Sequence, residues 1–173
     1  MTTLYIFVTI IQSMAISLGV GSSTLAILNF FAAIKDGLID ESERNLMGIV
    51  YIVLRVAMVL ILVTTAVQAL LVYSDVGVGY FTTLALAAWT LTAVLFINAF
   101  LMTKRIMPST FGPAIQAGSW YTFGLVAALI SVQRTEFVYW QFLLGYLTMV
   151  TLAVAIVNAA MAYSKPRKER VGD

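Results

Sequence analysis

The chain has no cysteine, no histidine and only three prolines, and just 10% of its 173 residues are charged. Each absence removes a class of chemistry. Without cysteine there is no disulfide framework and no thiol nucleophile. Without cysteine or histidine the usual zinc ligand sets and a His-ligated haem are missing. A Ser-His-Asp triad cannot be built. No cofactor or metal is therefore expected, and enzyme is the least supported class. A soluble domain carries about 25% charge; this chain carries well under half of that. What fills the space is apolar: 61% of residues are hydrophobic, with a mean hydropathy of +0.97. Water is not the main solvent for such a chain. The net charge of +2 is small. No basic surface for nucleic acid is visible outside the last nine residues, and membrane topology accounts for that tail.

Five apolar segments stand out, at 4–34, 47–74, 80–103, 111–132 and 137–163. About 20 apolar residues cross the hydrocarbon core. The pattern predicts an all-α polytopic membrane bundle of five transmembrane helices: residues 1–164 as the membrane domain, 165–173 as a basic cytoplasmic tail. The first segment lacks a basic start and is too long for a signal-peptide core, so it reads as a span. Gly19-Val20-Gly21-Ser22-Ser23 marks a kink or a close helix contact within it. Ala114, Ala117 and Gly118 give the fourth segment a small face, and Trp89 and Trp120 fall where they would pack.

The loops set orientation. Lys35, Arg44, Lys104, Arg105, Lys165, Arg167, Lys168 and Arg170 fall on one side, and Arg134 alone on the other. Cytoplasmic loops collect Lys and Arg. The N-terminus is expected outside and the C-terminus inside a bacterial or archaeal plasma (inner) membrane. Tyr73, Tyr80, Phe137, Tyr139 and Trp140 would anchor the outer ends.

Three segments share an ending. Ala93-Val94-Leu95-Phe96-Ile97-Asn98-Ala99 parallels Ala153-Val154-Ala155-Ile156-Val157-Asn158-Ala159, and Thr24-Leu25-Ala26-Ile27-Leu28-Asn29 follows more loosely. Each Asn precedes a Lys by six or seven residues, which suggests a common depth. The pattern fits either a parallel repeat of helical hairpins or chance among helices of narrow composition. Arg55 is the one charge well inside a segment. It either reaches the inner interface by snorkelling or projects among Asn29, Asn98 and Asn158. In the second case the four make a cytoplasm-facing polar pocket for an anionic small molecule or an acidic lipid headgroup. The asparagines serve equally as interhelical glue.

Asp36-Gly37-Leu38-Ile39-Asp40-Glu41-Ser42-Glu43 resembles half a calcium loop, but Ala32 and Ile34 occupy two ligand positions. It reads instead as a turn with Asp40 as N-cap and Glu43 at the third helical position.

Gln12, Gly19-Val20-Gly21-Ser22 and Leu62-Val63-Thr64-Thr65 give the first two segments a resemblance to the CopD-like group of small bacterial membrane proteins. That group has a His-bearing helix, a Trp-Val-Gly-Gly turn, a basic loop and a helix ending in Leu-Thr-Gly. The resemblance covers less than half of the chain. The resemblance implies the membrane fold and a group associated with copper tolerance or uptake, or with no known role. Gln12 stands where that His would be, and with no Cys either this departure removes the expected metal ligands.

Two function classes follow. One is a small-solute permease or channel, oligomeric, with the Asn layer and Arg55 at its inner mouth. The other is a non-transporting membrane subunit that scaffolds or assembles a partner, whether as a homo-oligomer or with another membrane protein.

Overall fold

A computed structural model describes residues 2–36, 41–107 and 111–164. The proposed N-cap Asp40 and the basic tail lie outside the described residues. The five segments form five helices: α1 (Thr2–Asp36), α2 (Glu41–Val76), α3 (Thr83–Thr103), α4 (Phe111–Ser131) and α5 (Tyr139–Ser164). A short 3-10 turn, Gly77–Tyr80, follows α2. Each helix is long and apolar enough to cross a membrane, and the molecule is a multi-pass membrane helix bundle. At 1.5 Å per residue, α3 and α4 are about 32 Å long, one hydrocarbon thickness, whereas α1 and α2 exceed about 50 Å.

The Gly19–Ser23 stretch does not break α1. Its reason lies across the interface, because Gly19 faces the indole of Trp120 on α4 so closely that a Cβ there would overlap the ring. Small residues permit such approach between membrane helices. Helices α1–α4 form a ring, with α1 and α3 each against both α2 and α4, and α5 packs chiefly on α4. On that seam a Cβ on Gly118 would stand 3.3 Å from the Val150 backbone. The centre is closed by Ile61, Leu91, Leu95 and Trp120, none with exposed surface.

Helices α3 and α4 end alike. Arg105 and Gln133 both take left-handed backbone, each with φ 56°. The Ile106 N–H then donates to the Leu101 carbonyl and the Arg134 N–H to the Leu129 carbonyl, at 3.0 and 2.9 Å. These are Schellman caps, which satisfy the last free carbonyls of a helix.

Candidate functional site

Of the four residues nominated for a polar pocket, Asn98 alone is buried. It is 2% exposed on α3, and its Nδ2 donates to the Gly112 carbonyl at 2.8 Å and to Gln116 Oε1 at 3.0 Å, both on α4. The Gln116 amide in turn reaches Met58 Sδ on α2 at 3.3 Å. Gly112 has no side chain, which brings its carbonyl within reach; a Cβ there would lie 2.6 Å from Met102 Cγ. Asn98 Oδ1 is buried without a hydrogen-bond partner among the described residues. Asn98 therefore ties three helices together, and its amide is largely engaged in doing so.

The other three nominated residues are elsewhere. Arg55 is exposed on the outer face of α2 and Asn158 on the outer face of α5. Asn29 is half-buried, with Nδ2 unpartnered among the described residues. Nor do the asparagines share a depth. Hydrogen bonds between α1 and α2 set a register that places Asn29 near Gly48, nearly three turns, or about 15 Å, farther along than Asn98, whose partner Gln116 reaches Met58. The structure does not bring Arg55, Asn29, Asn98 and Asn158 together. The expected juxtaposition failed for a simple reason: an all-apolar helix has no polar stripe to tell which face turns inward.

Arg55 suits an interfacial position. It lies 14 residues into α2. From Arg55 to Asp75 is about 30 Å along the helix, the thickness of the hydrocarbon core. The guanidinium can reach an interface while its methylene stem lies along apolar surface.

Among the described residues, two of the recesses lie between helices at opposite ends of the bundle. One, of ≈ 80 Å³, lies beside Gln116, with Ser23, Tyr51, Met102 and Val157 among its walls. The other, of ≈ 380 Å³, opens between α1–α4 at the end where the N-terminus lies. Its walls include Thr9, Gln12, Thr65, Gln68 and Tyr80. Gln12 Nε2 donates to Thr65 Oγ1 at 3.3 Å, and Gln68 Nε2 donates to Thr9 Oγ1 at 3.1 Å. Sequence reasoning placed Gln12 where the CopD-like group has its His, and did not pair it with Gln68. The missed signal was the shared spacing Thr9-x-x-Gln12 and Thr65-x-x-Gln68 on two antiparallel helices. Between the recesses, Gly19, Ile61, Leu95 and Trp120 are all buried.

The remaining interhelical polar contacts pair with one another. Ser119 bonds Tyr146 at 2.8 Å, Thr90 bonds Tyr139 at 2.6 Å, and Thr24 bonds Tyr121 at 2.8 Å. They are helix-packing bonds of the kind worth about 0.6–2 kcal/mol in a membrane.

No family model matches the chain, and no curated protein and no solved structure is significantly similar to it.

Proposed function

We propose that the chain is a non-transporting membrane subunit that assembles through the outer face of α5, and that its first partner there is a second copy of itself. The observation that carries this reading is the exposure of Asn158. Its counterpart Asn98 stands in a nearly identical run but is covered by α4. A carboxamide facing lipid without a partner is costly, and a second helix removes that cost. Around Asn158 the exposed surface of α5 is shaped for a helix. Gly145, Thr148, Ala155 and Ala159 are all exposed and small, and Ala155-x-x-x-Ala159 has the small-xxx-small spacing of close membrane contacts. Asn carries one donor group and one acceptor, so two copies of Asn158 satisfy each other across a two-fold axis.

In this reading the hairpin repeat of α1–α2 and α3–α4 leaves α5 as a half-repeat whose second helix another subunit supplies. The basic residues put the N-terminus outside and the tail in the cytoplasm of a plasma membrane. Arg55 then meets the cytoplasmic interface and its acidic lipid headgroups.

The experiment uses the cysteine-free background. Ala155→Cys is oxidised in native membranes, and a disulfide-linked dimer is expected. Adding Asn158→Leu should lower its yield about fivefold or more. A monomer in both backgrounds overturns the reading. A small-solute permease or channel is the second reading, favoured by the recesses at opposite ends of the bundle. It requires Cys at Leu95 to be labelled by a water-soluble thiol reagent.

A further inference from the structure

The recess at the N-terminal end lies apart from the Asn98 contacts. Four helices and the turn after α2 wall it, and its ≈ 380 Å³ lies in the range of small-molecule sites. Leu91 and Phe123, both buried, form part of its lining. None of its lining residues is charged. A charged ligand would be desolvated there with no counter-ion, so the occupant is neutral.

The polar part of the lining is built as a matched pair. Gln12 and Gln68 sit diagonally across the α1–α2 seam, each held by one hydrogen bond to the threonine of the other helix. Each bond uses one N–H of the carboxamide. The second N–H of each side chain remains, and these are the side-chain hydrogen bonds that the two glutamines make among the described residues. A carboxamide carries its donors and its acceptor in one plane. The group that complements it is another carboxamide, which returns an acceptor to the N–H and a donor to the oxygen. The apolar remainder of the wall, from Ile16, Val72, Leu84, Val126 and Ile130, suits a hydrocarbon body. The geometry points to a site for a small uncharged amide with an apolar substituent, entering from the end of the bundle at which the N-terminus lies. The two-fold arrangement of the glutamines offers two such forks to one ligand. The inference stands on the recess alone and needs neither the α5 interface nor Arg55.

Benzamide is the probe. Ala85 lines the recess, so Ala85→Cys in the full chain, purified in detergent, reports occupancy through its reaction with N-ethylmaleimide. Benzamide at about ten times its Kd should slow labelling about tenfold, and the protection should saturate. Benzoate, of the same shape but charged, and N,N-dimethylbenzamide, which has no N–H, should not protect. Gln12→Leu with Gln68→Leu should abolish protection. If that double variant does not fold, Ala88→Phe replaces it. Ala88 also lines the recess, and the added ring should abolish protection with both glutamines intact. Three results overturn the site: no protection by benzamide, equal protection by all three compounds, or protection that survives both sets of substitutions. A Cys placed at Ala155 should be indifferent to benzamide, and protection there as well would show partition into the micelle instead of binding.

Discussion

Asn98 and Asn158 stand in runs that differ by a few apolar exchanges, yet one is buried against α4 and the other faces outward from α5. The glycines tell the same story. A Cβ on Gly19 would meet Trp120, whereas one on Gly145 would meet nothing within 4 Å. What separates these pairs is whether the chain supplies a next helix. In a membrane, a side chain acquires its role from the helix set beside it, because lipid and a neighbouring helix are similarly apolar. A polar residue is inside only if another helix covers it.

The sharpest way to break the comparison is at its glycines. Gly19→Val drives a branched side chain into a fully buried indole, and should destabilise the bundle by about 3 kcal/mol, the upper end for overpacking. SDS titration in mixed micelles measures this. Next, Asn98→Leu should cost about 2 kcal/mol in the same titration, because Gln116 Oε1 and the Gly112 carbonyl lose a buried donor. Should Asn98→Leu prove neutral, its hydrogen bonds contribute nothing net and the contrast with Asn158 collapses. At the outer face, Gly145→Val and Asn158→Leu should each leave the stability of the isolated chain within ~0.5 kcal/mol. Both should still reduce the cross-linked dimer of Ala155→Cys in membranes. The smallest effect belongs to Arg55→Gln. An exposed charge contributes little to folding, so a change under ~0.5 kcal/mol is expected. A loss as large as that of Asn98→Leu would mean that Arg55 holds the bundle together.

Much of the architecture was legible in the letters. Runs at 80–103 and 111–132 became α3 and α4 at Thr83–Thr103 and Phe111–Ser131, because length and apolarity alone decide what spans a bilayer. The small face of Ala114, Ala117 and Gly118 was readable too, and all three are buried. What a single sequence could not give was the rotation of each helix about its axis. Asn29, Asn98 and Asn158 look alike because hydropathy reports burial from water and cannot separate lipid from protein. Depth misled for a related reason. Counting back from lysines assumes that every helix ends at the same plane, whereas α1 and α2 outrun α3 and α4 by about 20 Å. The Gln12–Gln68 pair was readable in principle, from equal spacings on adjacent antiparallel helices.

Arg105 and Gln133 carry a different implication. Both hold a left-handed backbone that costs an ordinary residue about 1 kcal/mol and glycine almost none. Both are exposed and lie just beyond their helices. The native molecule thus operates below its attainable robustness. Gln133→Gly, which leaves the pattern of basic residues untouched, offers a hardier starting protein for crystallisation or cryo-microscopy.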